Sequence, residues 1–562
     1  MSKPRTWLQN AFYFGMISGV VVLSLSLVGM VVSFSQRGFI SGFITEGQLL
    51  LFLAVAVFGY ITAGQMEDRS LLKAVVSGLI IGLISSVFLI VLVLLIDFKP
   101  LGLRSMFVNA SPALVKVLTF GKKTAEAGFA YMLLLNMASG IFGTLIEAIP
   151  GVWGSALATG TMITIVVGLL ADIWKTFLPR GISKFFFAGK GFTPAGFLVT
   201  LVALVGFIIF WHFYGDNVRS GYERVESIQP KAVDITTLLI GLLILLLLPK
   251  ALGSYLSEVL DLVGLYIIMG LGLNIVVGFA GMLDLGYVAF FAIGAYTMGV
   301  LTSQELGLFH LTFWEALPFS ILFAVIAGVL LGIPVLGMRG DYLAIVTMGF
   351  GEIIRLLVLS DALKPILGGA QGLTRIARPT IGHIVVKQPT QFYYLILAGI
   401  IIAWYVASAL KDSKLGRAWM AMREDEDVAQ AMGMNLVGVK LLAFGTGAAL
   451  SGLSGAIFAA KLNSMVPHSF NILISIYVLS LIIVGGVGSL PGVVVGSLAL
   501  IGTPELLREF AEYRMMIYGA VLVAMMIFMP EGLWPESARR RELRSERDHA
   551  TSASGGIAEE GA

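Results

Sequence analysis

Between residues 271 and 296 the chain reads LGLNIVVGFAGMLDLGYVAFFAIGAY, two apolar runs around a centre that holds Gly278, Gly281 and Gly286. Runs of this kind cross a hydrocarbon layer, which takes roughly 20 residues of helix. Lipid offers the backbone no hydrogen-bond partner, so the runs must close their own bonds as helices. Asn274 and Asp284 sit among the aliphatic and aromatic residues. A polar side chain at that depth is costly and faces a bundle interior or a water-filled path. The glycines permit a tight crossing or a broken helix lining such a path. Two readings stay open: Asn274 as glue between helices with Asp284 as an interfacial cap, or both as lining of a path.

The rest of the chain repeats the pattern. It is 57% AVILMFWYC and 13% charged over 562 residues, where soluble domains carry about 25% charged residues. Window reading gives about sixteen spans, the shortest at 48–64, 235–249 and 492–507. The fold class is therefore all-α, a polytopic transmembrane bundle. The run from Ala11 to Ser33 exceeds a signal-peptide core of roughly 7–15 residues and reads as a retained first span. A net charge of +3 and the absence of cysteine argue against nucleic-acid binding and thiolate metal sites. No phosphate loop of the G-x-x-x-x-G-K-[ST] type occurs, and the five histidines are scattered singly, so no catalytic or metal site is read.

Three regions differ in character. Residues 1–233 are hydrophobic without an interpretable motif, 234–535 are rich in glycine and intramembrane polar residues, and 536–562 form a charged tail of disordered composition. Basic residues in short loops mark the cytoplasmic side. They place the loop with Lys411, Lys414, Arg417 and Arg423 inside, together with the tail from Arg539 to Arg547, and counting spans puts the N-terminus inside too. The same count leaves Arg180, Lys184, Lys190 and the Lys99–Lys123 stretch outside, so either the N-terminal half holds one span more or fewer or these segments lie along the surface, where residues 107–120 suit an interfacial helix.

Three further segments carry candidate chemistry. In MRGDYLAIVTMGFGEIIR (338–355), Glu352 and Arg355 are three apart, on one helix face, and able to neutralise each other. Arg339 and Asp341 read as interfacial anchor and N-cap, and Thr347 either touches substrate or bonds its own helix. In GRAWMAMREDEDVAQAMGMN (416–435) a short amphipathic helix near 424–433 starts acidic and stops at Gly433, as helix ends prefer. It reads as a solvated loop helix or as a docking surface. VGGVGSLPG (484–492) reads as a turn between half-helices or as a break at a substrate site.

Taken together, segments 271–296, 336–357, 415–444, GGVGSLPG and MPEGLWP (529–535), with a shorter LGGAQGL at 367–373, resemble the M-type permease of branched-chain amino-acid ATP-binding-cassette importers. The likeness spans about 255–535. It implies the importer-permease fold in the C-terminal half and a location in the bacterial inner membrane. It also implies a second related permease, two cytoplasmic ATPase subunits and an extracytoplasmic substrate-binding protein. ATP and Mg would belong to the ATPase partners, leaving this chain no cofactor and no enzymatic role. Permeases of this kind carry E-A-A-x-x-x-G in the loop helix. Asp427, Val428, Ala429 and Gly433 fit that spacing, with Asp for Glu and Val for Ala, and with Arg423 and Glu424 complete the expected ATPase-coupling set. Asn274, Gly278, Gly281, Asp284, Thr347, Glu352 and Arg355 are the candidate translocation path. Alternatives are a urea or short-chain amide permease, an ion-coupled transporter using Asp284 or Glu352, or a membrane scaffold.

Overall fold

A computed structural model describes residues 6–66, 70–97, 107–122, 125–228, 230–305, 309–338, 340–382 and 384–506, with scattered positions from 516 to 535. The tail 536–562 and Arg339 lie outside the described residues, as does most of the apolar window at 515–529. The chain packs as two units, residues 1–240 and 241–562.

Apolar length decides the architecture of both. Among the described residues, twelve helices are long and apolar enough to cross a membrane, and three shorter apolar helices cover Gly241–Lys250, Val288–Thr302 and Leu490–Glu505. The count of about sixteen windows is thus not reproduced as sixteen full spans. At 283–303 helix begins only at Val288, because the chain reverses through Gly281 (φ +72°). At 492–507 a π-helical stretch, Leu498–Gly502, interrupts the run. The short 48–64 window, in contrast, forms a 19-residue helix.

In the first unit α1 (Trp7–Val28) and α2 (Glu46–Gly64) each start from a threonine capping box, Thr6 with Gln9 and Thr45 with Gln48. These reciprocal bonds satisfy helix-end donors that lipid would leave unpaired. Helix α3 (Leu71–Asp97) packs on α1. Helix α4 (Pro112–Leu118) is shorter than the interfacial helix expected over 107–120. Ser111 caps it, Pro112 starts it, and Phe120 and Gly121 at positive φ end it. Helix α5 (Ala125–Ala148) packs against α2 and α3, and α6 (Val152–Leu169) against α7 (Pro194–Ile228). Four short strands, β1 (Gly38–Ile40), β2 (Ile44–Thr45), β3 (Phe187–Ala188) and β4 (Gly191–Phe192), form one sheet in the order β2-β1-β4-β3. Phe39, Phe187 and Phe192 are buried with Ala171 against it.

The second unit opens within α8 (Pro230–Leu273), which is kinked at Gly253 after Pro249 and runs into a π-helical turn, Asn274–Phe279. Helices α9 (Val288–Thr302) and α10 (Phe313–Val335) pack on each other and on α15 (Leu436–Leu462). Between them in sequence come α11 (Asp341–Leu359), α12 (Pro389–Asp412), α13 (Lys414–Glu424) and α14 (Glu426–Ala431). Helices α16 (Ile472–Gly485) and α17 (Leu490–Ser497) follow. The LGGAQGL stretch leads into β5 (Leu373–Thr374), which pairs with β6 (Ser464–Met465). The core is aromatic and aliphatic, with Phe279, Tyr287, Phe290, Trp419 and Phe444 all sealed.

Candidate functional site

The polar centre of the opening stretch is a break in a membrane helix. The π-turn at 274–279 widens α8 at its end, and π-turns within α-helices are frequent at functional sites. Asn274 is fully buried. Its Oδ1 accepts the Gly488 N–H at 2.9 Å, while Nδ2 has no partner among the described residues. That bond joins the break at 274–281 to the turn between α16 and α17, so the two glycine-rich motifs meet in space. The same turn is closed from the other side by MPEGLWP. Leu533 and Trp534 donate their N–H groups to the carbonyls of Val484 and Gly485 at 2.7 and 2.9 Å, satisfying carbonyls at the end of α16.

Asp284 is also fully buried. Its Oδ1 accepts the Gly286 N–H at 2.8 Å, a local turn, whereas α9 starts at Val288 with no side-chain cap. Asp284 therefore shapes the loop before the helix rather than capping the helix. Thr347 takes the Leu285 N–H at 3.0 Å and donates to the Ala344 carbonyl at 3.1 Å. With Thr347 so engaged, Asp284 Oδ2 is left without a well-formed hydrogen bond, an uncommon state for a buried carboxyl oxygen. Thr347 thus bonds its own helix and a neighbouring loop together.

Glu352 and Arg355 are paired, with Nε 2.9 Å from Oε2. They stand apart from Asn274 and Asp284, on the exposed side of α11, where the Glu352 side chain is 48% accessible. Asp341, expected as an N-cap, is instead the first residue of α11, and Gly340 precedes it at φ +56°.

The loop helix comes in two pieces. Helix α13 ends at Glu424 and α14 begins at Glu426, because Asp425 leaves helical geometry and its carboxylate accepts the N–H groups of Asp427 and Val428. This is N-capping by an acidic side chain. Helix α14 ends in a left-handed glycine cap: Gly433 (φ +84°) donates to Gln430, and Met434 donates to Ala429. Of the expected coupling residues, Glu424, Asp427, Val428 and Gly433 are exposed, Ala429 is buried, and Arg423 is exposed beside Glu424 while its guanidinium reaches the Gly278 carbonyl. The exposed apolar part is Val428 with Met432, the latter 80% accessible.

Arg423 ties this loop to the break. Its guanidinium donates to the Gly278 carbonyl at 2.6 Å, and its stem lies on Gly281, where an added Cβ would come within 2.5 Å of Arg423 Cγ. Helix α13 is itself anchored by Trp419, fully buried with its indole N–H on the Val439 carbonyl at 2.8 Å. Helix α14 is held by an ion pair between Glu426 and the buried Lys440, which also reaches the Leu336 carbonyl at 3.1 Å. Lys440 and Trp419 are not among the candidate site residues read from the sequence, and Gly488 enters there only as part of VGGVGSLPG. The readable signal was a lysine at the start of an apolar run, just after an acidic helix.

These features define a class: a multi-pass helical membrane permease with a broken helix wired to a loop helix. Residues 255–529 match the family described as branched-chain amino acid transport system / permease component. The high-affinity branched-chain amino acid transport system permease protein LivM of Salmonella typhimurium is 40% identical over 304 residues, covering 50% of this chain and 70% of that protein. LivM of Escherichia coli K12 is 37% identical over 368 residues, 59% of this chain and 85% of that protein. LivH of the same strain is 23% identical over 282 residues, 48% and 90%. No solved structure matches the chain. The chain belongs to the branched-chain amino acid transport system permease family.

Proposed function

We propose that this chain is the M-type permease subunit of an importer that carries leucine, isoleucine and valine through the bacterial inner membrane. It works beside a second, LivH-like permease, with two ATPase subunits on the cytoplasmic side and a substrate-binding protein outside. ATP and Mg2+ belong to the ATPase subunits. The observation that supports this most is the Arg423 strut between the loop helix and the break at Gly278–Gly281.

On this reading the exposed surface of the loop helix, Glu424 at the end of α13 with Asp427, Val428 and Met432 of the α14 turn, seats in the ATPase subunit, and the 411–435 loop and the C-terminal tail face the cytoplasm. Closure of the ATPase pair moves α13 and α14 together, since Lys440 and Trp419 hold them to the bundle. Arg423 then transmits the displacement to the π-turn, where Asn274, Asp284 and Thr347 line the path. Alternating access follows as the helices on either side of the break re-tilt.

The test is a coupling assay in proteoliposomes carrying the full complex. Reversing charge in the pair Glu424→Lys, Asp427→Lys should cut leucine uptake by tenfold or more while the chain stays in the membrane and the ATPase subunits still hydrolyse ATP. Unchanged uptake would remove α14 from the coupling role. Uptake that survived loss of the ATPase subunits and vanished with the proton gradient would instead favour an ion-coupled carrier.

A further inference from the structure

The first unit contains a cavity of about 970 Å³. It lies at the end of the bundle where α1 connects to α2 and α3 to α5, since antiparallel neighbours leave both connections on one side. That end is a boundary between hydrocarbon and head groups, whichever leaflet it meets. The lining contains Lys116 and Lys122 and no carboxylate. Both lysines are exposed at the mouth, and the ammonium of Lys122 rests 4.3 Å from the centroid of the Tyr131 ring. A π face holds the ammonium electrostatically without using up its donors. Beside them the lining is mixed: Phe120, Leu135 and the exposed Tyr131 give it an apolar and aromatic side, and Ser35, Gln36, Thr45 and Gln48 a polar, uncharged one. Phe120 is turned into it by a left-handed backbone at the end of α4 and stacks on Phe52, with centroids 6.3 Å apart and planes 10° from parallel.

This combination selects a ligand chemistry. Two cations with no carboxylate among the lining residues ask for an anion, and the apolar side formed by Phe120 and Leu135 asks for a chain attached to it. The volume is at the top of the roughly 300–1,000 Å³ usual for ligand sites, more than a free amino acid fills. Basic pockets between membrane helices take lipid head groups. We propose that this cavity binds an anionic phospholipid, its phosphate between Lys116 and Lys122 and the start of its acyl chains along Phe120 and Leu135. The site lies wholly within residues 32–135, so it is independent of the transport reading.

The experiment is native mass spectrometry of the delipidated full-length chain, titrated with phosphatidylglycerol and, separately, with phosphatidylcholine. Phosphatidylglycerol should bind preferentially, and the double variant K116Q/K122Q should lose that preference. Each lysine near a lipid surface is worth about a factor of five in affinity, so the loss should be roughly twentyfold or more. K116R/K122R should keep the preference, and Leu135→Trp should weaken binding of the lipid with both lysines intact. Equal binding of the two lipids to the native chain, or an undiminished preference in K116Q/K122Q, would overturn the proposal. Displacement of the lipid by millimolar inorganic phosphate would overturn it too, by assigning the site to a free anion.

Discussion

Lys461, at the end of α15, pairs with two carboxylates of α8. Its ammonium lies 3.0 Å from Asp261, fully buried on α8, and 3.0 Å from Glu258, which is half exposed. Among the described residues no other partner is formed by the Asp261 oxygens. Breaking a buried ion pair from one side leaves an uncompensated charge, which costs about 3–5 kcal/mol. Lys461→Met should therefore lower the thermal stability of the detergent-solubilised chain substantially. Adding Asp261→Asn to it should restore much of the loss, because the stranded charge goes with it. If Lys461→Met melted like the native chain, the cluster would carry no net weight. Sequence reading passed over all three residues, since no spacing rule links position 461 to 258 and 261. It did find Glu352 with Arg355, which are neighbours on one helix and so visible in a one-dimensional pattern.

Elements divide along the same line. Span-length helices were legible because lipid permits nothing else, and the acidic start and glycine end of the loop helix marked α14 to within two residues. The π-turn at 274–279 and the break at Asp425 were not legible. Each replaces one hydrogen-bond pattern by another without changing residue type, and Asp425 caps α14 from inside a run of acids that looks uniform. The two-residue strands fall below any periodicity. One crossing could have been read from spacing. Gly78 and Gly82 are four apart on α3 and face α5, where a Cβ on Gly78 would stand 2.6 Å from Ile141 Cα and one on Gly82 would overlap the Asn136 carbonyl. Small residues at this spacing let backbones approach closely in membranes. Gly82→Leu should force α3 from α5, seen as faster protease cleavage in the connections of the first unit. Gly206→Leu, on a glycine with open space around it, should be silent.

For the whole molecule, α11 carries the most informative outer surface. Glu352 and Arg355 lie in the C-terminal half of this span; Glu352 is exposed and Arg355 partly so, among the exposed Ile345, Ile353 and Leu356. A charged group facing lipid costs about 2.5–3.5 kcal/mol at the centre of a span by insertion measurements, and less towards its end. Mutual pairing relieves part of that, and the remainder favours a protein neighbour or a wet path over acyl chains. The second permease is the neighbour expected there. The chain has no cysteine, so Ile353→Cys gives a single reporter. It should cross-link to the partner permease in the assembled complex and react with a lipid-soluble maleimide only in the isolated chain. Equal reactivity in both would place the interface elsewhere. The family model matches 255–529, within the second unit.

The Arg423 contact has a thermodynamic converse. A link that carries force from the loop helix to the membrane break also carries binding energy the other way. Coupling between two ligand sites is reciprocal in equilibrium free energy. If engagement of the ATPase subunits changes the affinity of the break for an amino acid by some factor, an amino acid seated at the break changes their grip on α14 by that same factor. Substrate arriving in the membrane would then act as an effector of assembly as well as cargo, with the Gly278 carbonyl as the point where the two equilibria meet.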